Sequence, residues 1–472
     1  MRLERVFLNE RVEAMDATFD EDRRNQHRTL GRIYNRTLGP VTGVSLYRPE
    51  VFDPSVYSGA SRHAAVGALL RDLRVRKGMA EDATLLPGGG KGTSMQRALL
   101  GTLGEASERI LTVLASSVAV EHLHYATYED LVADGRSALG PERLPLFAPE
   151  QHAQPGFAYE PFRRDTVLAW IEGEDLLSRS PILVPAQLVL FTWAPHTCEA
   201  HVGYATSGGL AFHVDRRQAI LRGLSEVIER DAVNIRWYCH LPPPMLDLDV
   251  EEFLNERMRP EHIRLSSAQL GPVLAFLNTV DVPVPVFTAV AAHRTGSDGP
   301  FLSGGGAGLG RDEALLQAVL EVGQTRTALR LLSNKHAVSA DTPVCSMRDF
   351  HHAVLYYGYE KNRQLTSWYT DGAERLAWND VPTLADDVEE VDVLLLDLLA
   401  DKGMHPIVVD LTNDAWPGMS LLKVFVPELT QAGIPSRPFL GHPRFYQLPQ
   451  TLGLADRRLQ FHDLSIYPPP LP

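Results

Sequence analysis

Two segments of the chain place two glutamates and an arginine at the same spacing, Glu-x-x-Glu-Arg. The residues are Glu105, Glu108 and Arg109 in the first segment, and Glu226, Glu229 and Arg230 in the second. Residues three and four positions apart lie on one face of an α-helix, so each segment projects its charged groups together. Apolar residues recur at helical spacing in both segments, which predicts two helices that are at least half buried. Carboxylates in such surroundings need a cation.

Magnesium together with a nucleoside triphosphate is the ligand that best suits this pattern. Converging carboxylates repel one another unless a divalent metal neutralises them, and Mg2+ is commonly held by a few carboxylates and substrate phosphates. Arginines bind phosphate from the side, and glycine-rich turns ahead of the helices would let backbone N–H groups approach it. A single such segment is explained equally well by ion pairs on an exposed helix face. Two segments in matched settings favour a site.

A third segment repeats the setting with a different ending. Ala98, Ala219 and Ala314 each lie seven residues before a glutamate, and a glycine-rich stretch precedes each of them. In the third copy, Gln324, Thr325 and Arg326 follow where the first two copies have glutamate and arginine. The irregular spacing of the three copies along the chain excludes a solenoid.

The glycine clusters match neither common phosphate-binding motif. A Walker A loop needs a first glycine six residues before the lysine and a Ser or Thr after it, but Leu85 and Gly92 stand at those positions around Lys91. The cluster "GGGAGLG" fails the dinucleotide fingerprint, because Leu309 or Arg311 stands where the last glycine should be. The predicted phosphate site is therefore assembled from several segments.

Three long segments together resemble the YcaO family of ATP-using peptide-backbone cyclodehydratases. They read "KGTSMQRALLGTLGEASER", "TSGGLAFHVDRRQAILRGLSEVIERDA" and "GGGAGLGRDEALLQAVLEVGQTR". The stretches "DVPVPVFTAV", "PIVVDLTND" and "LKVFVPEL" resemble strands of that family, and the ending "YPPPLP" fits the PxPxP terminus of its azoline-forming members. The resemblance covers roughly residues 30 to 450.

The resemblance implies an ATP- and Mg2+-dependent reaction. A Cys, Ser or Thr side chain of a ribosomally made precursor peptide attacks the preceding carbonyl, ATP phosphorylates the amide oxygen, and loss of phosphate leaves a thiazoline or oxazoline. By position, the residues implied to hold Mg2+ are Glu105, Glu108, Glu226 and Glu229. Those implied to bind or place ATP are Lys91, Glu105, Arg109, Glu226, Arg230, Gln324 and Arg326. Arg230 and the terminal Pro472 are the implied catalytic residues.

Two departures from the family pattern leave other functions open. Gly101 and Gly208 stand where the motifs usually have Ser and Asn. The chain could be an ATP-binding scaffold that helps a partner to bind its peptide. Thioamide or amidine formation, in which sulfide or an amine attacks the activated amide, is a further alternative, and the PxPxP ending weighs against it.

Composition sets limits on partners and location. The chain of 472 residues has a formal net charge of −14 and 44% hydrophobic residues, which predicts a globular protein and argues against nucleic acid or an anionic membrane as a partner. A charged N-terminus without an apolar core region excludes a secretory signal, so we expect a soluble, cytoplasmic protein. Three scattered cysteines predict neither a disulfide framework nor a zinc site.

Strands and helices alternate along the chain, and together with the resemblance this predicts an α+β fold. We expect a helical extension over residues 1–30, a catalytic domain over 31–450 and a proline-rich tail over 451–472 that reaches the active site. The extension is too short for a leader-peptide recognition domain. The resemblance therefore implies a separate leader-binding partner of the E1-like or RRE type and a homodimer, and it leaves open a flavin-dependent dehydrogenase that oxidises the rings.

Overall fold

The computed structural model describes residues 31–470 with gaps at 32, 37–40, 52, 64–87, 120–122, 192, 194–197, 258–262, 266–269, 294–300, 333–336, 348, 385–390 and 413–417. The predicted N-terminal extension, residues 1–30, and the terminal Pro472 lie outside the described residues.

Three long helices dominate the described part of the chain, and shorter helices connect the strands. The helices are α1 (Met95–Ala119), α2 (Tyr128–Ala133), α3 (Pro149–His152), α4 (Ala186–Val189), α5 (Arg216–Tyr238), α6 (Val250–Arg257), α7 (Arg311–Leu332), α8 (Phe350–Tyr357), α9 (Glu360–Arg363), α10 (Ser367–Thr370), α11 (Val391–Asp401) and α12 (Arg444–Thr451). The long helices are α1, α5 and α7, and each holds one of the three repeated segments.

The strands form three sheets. They are β1 (Val41–Tyr47), β2 (Tyr57–His63), β3 (Gly89–Gly92), β4 (His124–Ala126), β5 (Leu168–Asp175), β6 (Pro181–Pro185), β7 (Leu210–His213), β8 (Met245–Leu246), β9 (Leu270–Leu277), β10 (Val286–His293), β11 (Leu302–Ala307), β12 (Arg375–Leu376), β13 (Ile407–Asp410) and β14 (Ser420–Phe425). The orders are β1-β2-β3, β11-β10-β9-β8-β12 and β4-β5-β13-β14-β7, with β6 paired to β5. Nearly all neighbours are antiparallel, and the pair β12–β8 is parallel. The predicted strands in "VFTAV", "PIVVD" and "LKVF" are confirmed as parts of β10, β13 and β14, and the α+β class is confirmed.

Each sheet packs against one long helix through glycine. A Cβ atom on Gly90 of β3 would lie 2.3 Å from the carbonyl oxygen of Ala98 in α1, and one on Gly306 of β11 would lie 2.3 Å from that of Ala314 in α7. In the six-stranded sheet the close approach comes from α5, where a Cβ on Gly223 would lie 2.5 Å from the side chain of Val424. Any larger residue would push these helices off their sheets.

This packing corrects the prediction of glycine-rich turns. The first and third glycine clusters are largely the strands β3 and β11, and their glycines provide room for the following helix. The second cluster fits the expectation of a turn ahead of β7, where Gly209 has a φ of +76°, a conformation that favours glycine. Glycine alone does not distinguish a tight turn from a strand that a helix must approach closely.

A buried ion cluster ties α12 to α5. Arg444 donates from Nη2 to Asp231 at 2.6 Å and to Asp281 at 2.7 Å, and Asp231 also accepts the N–H of Thr430 at 2.7 Å. Asp231 is only 2% exposed and directly follows Arg230. One side of α5 is thus fixed to the C-terminal part of the chain, while its Glu-x-x-Glu-Arg face points elsewhere. No helix in the described part of the chain combines the length and apolar character that crossing a membrane requires.

Candidate functional site

The three long helices bring their acidic residues to one place. Burial raises the pKa of Glu108 on α1 and of Glu229 on α5, and in both cases the carboxylate of Glu226 adds to the rise. Glu321 on α7 also raises the pKa of Glu229. Carboxylates from all three helices are therefore close enough to interact electrostatically, as the sequence predicted for the first two.

The first motif is anchored by its own strand. Glu105 accepts the backbone N–H of Gly89 at 2.8 Å through Oε2 and contacts Arg109 at 3.1 Å through Oε1. The guanidinium of Arg109 also lies 3.7 Å from Glu108 and 5.7 Å from the centre of the Phe191 ring. Arg109 thus spans both glutamates of its segment.

The second motif repeats this arrangement. Glu226 accepts the backbone N–H of Gly209 at 3.2 Å, and Arg230 lies 3.8 Å from Glu226 and 3.9 Å from Glu229. The first glutamate of each motif therefore accepts the N–H of a glycine at the strand or turn before its helix. The likeness of the two segments extends from spacing to hydrogen bonding.

The third segment contributes two residues to the same site, Glu321 and Gln324. Lys91, at the end of the first glycine cluster, forms an ion pair of 2.5 Å with Glu321. Gln324 lies beside the first motif, since a Cβ on Gly89 would be 2.7 Å from Gln324 Nε2 and 3.6 Å from Glu105 Oε2. The predicted ATP-binding residues Lys91 and Gln324 are therefore brought together with the glutamates.

Arg326 is not brought to this face of α7. At 3.6 residues per turn it lies roughly 140° around the helix from Glu321. Its Nε donates to Asp53 at 2.6 Å, and Arg330 one turn further on donates to the same carboxylate at 2.7 Å. Gly323, three residues before Arg326 on α7, packs against Val56, which lies three residues after Asp53 in the chain. Arg326 fastens α7 to residues 53–56, and its predicted contact with phosphate stays a prediction.

Two of the four motif glutamates have pKa values well above the usual range of a carboxyl group. Burial raises the pKa of Glu108 to about 8, although the positive charges of Arg109 and Lys423 lower it. Burial raises the pKa of Glu229 to about 7, although the positive charges of Arg230 and Lys91 lower it. Without a further cation, the site is therefore partly protonated at neutral pH. A divalent cation would displace those protons, because it stabilises the carboxylate form.

The residues present fit Mg2+ and a nucleotide. Nε and Nη1 of Arg109 are buried, and neither has a hydrogen-bond acceptor among the described residues, which suits an anion that enters beside Glu105 and Glu108. No group of three or more acidic, His or Cys side chains in the described ranges is arranged to enclose a metal ion. The motif glutamates do not enclose an ion by themselves, so water and phosphate would have to complete its coordination, as is usual for Mg2+.

Sequence reasoning missed three residues around the site. Glu321 was noted only for its spacing, Asp53 was not noted, and Lys423 was passed over inside the predicted strand "LKVF". Lys423 is 2% exposed, and a lysine within an apolar strand was the one available signal. The pairings of Asp53 and Lys423 depend on contacts between distant parts of the chain.

The proline-rich tail is docked up to Pro470. Trp237 Nε1 donates to the carbonyl of Tyr467 at 2.9 Å, and the Tyr357 hydroxyl donates to that of Pro468 at 2.7 Å. The Ser303 hydroxyl donates to the carbonyl of Pro470. The next residue of β11, Gly304, packs against Glu321 on α7. Neighbouring residues of a strand face opposite sides of the sheet, so the described end of the tail lies on the face of β11 that is turned away from α7.

Comparisons with known proteins match most of the chain. A family model described as "YcaO cyclodehydratase, ATP-ad Mg2+-binding" matches residues 89–430. An uncharacterised protein of Methanothermobacter thermautotrophicus is 27% identical over 266 residues, which make up 56% of this chain and 65% of that protein.

Solved structures share the fold at lower identity. A heterocyclase in complex with substrate and cofactor has a TM-score of 0.70 at 20% identity, over 94% of this chain and 57% of that one. The YcaO protein of Methanopyrus kandleri, bound with AMPPCP and Mg2+, has a TM-score of 0.58 at 21% identity, over 89% of this chain and 92% of that one. The E. coli microcin synthetase McbBCD complex with pro-MccB17 bound has a TM-score of 0.53 at 13% identity, over 87% and 98%. The chain thus spans just over half the length of the heterocyclase and about two thirds of the curated relative.

Proposed function

The chain belongs to the YcaO family, and we propose that it is a cyclodehydratase that forms azolines in a ribosomally made precursor peptide. The matched region includes all three helices that supply the acidic residues. The family description names ATP and Mg2+, which are the cofactors of this chain. The one observation that carries the proposal is the repeated hydrogen bond from a glycine N–H to the first glutamate of each Glu-x-x-Glu-Arg motif.

The motif glutamates are proposed to hold the metal, and basic residues to bind the phosphates. Glu105, Glu108, Glu226 and Glu229 are the metal ligands in this assignment. Lys91, Arg109 and Gln324 border the same space, and the buried donors of Arg109 would bind phosphate oxygens. When bound, ATP supplies the phosphoryl group that turns the amide oxygen into a leaving group, and Mg2+ offsets the charge. The chain therefore needs no side-chain nucleophile, because phosphoryl transfer depends mainly on positioning and charge.

Arg230 and the tail are proposed to act on the peptide side of the site. Arg230 lies beside Glu226 and Glu229 and would stabilise the negative charge that develops on the attacked amide. Pro472, which lies outside the described residues, is proposed to take part in catalysis because the resemblance implies it.

The peptide is proposed to arrive with a separate leader-binding protein. The McbBCD relative is a complex of several chains with its pro-peptide bound, which supports partner proteins in this fold family. The chain is also proposed to form a homodimer. A flavin-dependent dehydrogenase is proposed to oxidise the rings in a later step. The expected consequence is that the isolated chain processes precursor poorly and that the partner restores turnover. Full activity of the chain alone would contradict the partner.

Intact mass measurement tests the reaction. We would incubate the chain with precursor, partner, ATP and Mg2+ and expect the peptide to lose one water for each ring formed. Glu226→Gln should abolish the loss, whereas the exposed Glu252→Gln on α6 should not. Exchange of an amide oxygen for sulfur would instead establish thioamidation. An unchanged peptide mass with measurable nucleotide binding would establish a scaffold, and either result would refute the proposed cyclodehydration.

A further inference from the structure

Lys423 occupies an unusual place in the central sheet. It lies in β14 between β13 and β7, paired with Val409 and Leu210, and it is 2% exposed. Its strand neighbours Leu421 and Phe425 belong to the apolar core on the face that packs towards α1. A lysine in such a position is costly unless its ammonium group is fully used.

The ammonium group holds the turn that precedes β7. Nζ donates to the carbonyl of Thr206 at 2.7 Å and to that of Gly208 at 2.5 Å. The next residue, Gly209, donates its N–H to Glu226, and its carbonyl accepts the N–H of Val424 at 2.8 Å. Two hydrogen bonds therefore fix the turn whose N–H orients the first glutamate of the second motif.

Lys423 also lies between the two carboxylate helices. Its charge interacts with Glu226 on α5 and with Glu108 on α1, and both carboxylates oppose the fall in its pKa that burial causes. The same charge lowers the pKa of Glu108. Lys423 is thus a fixed cation behind the site, and no sequence motif includes it.

We propose that Lys423 is a positioning residue for nucleotide binding, which holds the 206–208 turn and, through the N–H of Gly209, the carboxylate of Glu226. This inference rests on the proposed function of the glutamates as metal ligands. Lys423 acts through them and contacts no reacting atom. Loss of the lysine would leave the turn unsupported and the second motif misplaced.

Calorimetric titration with Mg-AMPPCP tests the inference. Lys423→Met should weaken binding about tenfold or more, since it removes two charge-assisted hydrogen bonds. Lys423→Arg, which keeps the charge and the donors, should bind more tightly than Lys423→Met. Should Lys423→Met fail to fold, Lys423→Gln takes its place with the same expectation, because it removes the charge.

Val424→Ala is the matched control. Its side chain lies on the other face of β14, against Gly223, so the substitution should lower the melting temperature and leave the affinity for Mg-AMPPCP unchanged. If folded Lys423→Met, or Lys423→Gln in its place, binds as tightly as wild type, or if Val424→Ala weakens binding to the same extent, Lys423 is only structural and the inference is refuted. If the wild-type chain binds no Mg-AMPPCP, the proposed site itself is refuted.

Discussion

Glu108→Gln is expected to stabilise the ligand-free fold at alkaline pH although it removes a proposed metal ligand. Burial, together with the carboxylates of Glu226 and Glu105, raises the pKa of Glu108 from 4.5 to about 8. The folded chain then keeps a proton that the unfolded chain releases. Stability is therefore lost as the pH rises above the unfolded pKa, and the loss is complete once the pH passes the folded pKa.

The structure sets the size of this effect. With about 1.4 kcal/mol per pKa unit, the ionisation of Glu108 in the unfolded chain lowers the free energy of unfolding by roughly 1 kcal/mol at about pH 5.5 and by roughly 4 kcal/mol at about pH 8. Gln has the shape of the protonated carboxyl group and no charge, so the variant avoids the cost. Its gain in free energy of unfolding over wild type should grow by roughly 3 kcal/mol between those two pH values.

Urea unfolding with EDTA and without nucleotide measures this gain at both pH values. The exposed Glu252→Gln serves as the control and should show no pH-dependent gain. A companion measurement with Mg-AMPPCP should show that the ligand stabilises wild type and leaves Glu108→Gln nearly unchanged. A difference between Glu108→Gln and wild type that stays constant from acid to alkaline pH would refute the reasoning, because it would mean that the carboxyl group ionises freely in the fold.

Three further predictions follow from the geometry. Glu226→Gln should abolish ATP hydrolysis with an unchanged circular dichroism spectrum, and near-normal phosphate release would contradict its role as a metal ligand. Asp231→Ala leaves the buried Arg444 with half of its partners and should lower the free energy of unfolding by about 3–5 kcal/mol in urea; a loss below about 1 kcal/mol would count against this. Gly101→Ser should be tolerated, because its Cβ would lie 3.5 Å from the nearest atom, whereas Gly90→Ser, with a contact of 2.3 Å, should lower the melting temperature sharply. Equal melting temperatures for the two serine variants would show that the helix can move.

Local patterns were sufficient to predict the helices that build the site. Helix α7 runs over Arg311–Leu332 and carries the third repeated segment, whose helical spacing and acidic first turn are local signals. The Glu-x-x-Glu-Arg faces follow from helical spacing alone, so the motif glutamates could be grouped before the structure was known.

Long-range pairing could not be predicted in the same way. Whether Arg326 turns towards Glu321 or towards Asp53 depends on how α7 packs on residues 53–56, which are far away in sequence. Lys423 reaches Thr206 only because β14 pairs with β7. The glycine clusters were misread for the same reason, since a missing Cβ has meaning only when the neighbouring helix is known.

The division of the acidic helices among three sheets has a consequence for cooperativity. A ligand that is held by residues from all three sheets links the unfolding of these sheets, because no sheet can open without releasing the ligand. Saturating ligand stabilises the bound form by RT ln(1 + [L]/Kd). Hydrogen exchange at β3, β7 and β11 should therefore slow together when Mg-nucleotide binds, although these strands belong to separate sheets. The bound nucleotide would then act as a reversible crosslink between sheets that are formed by distant parts of the chain.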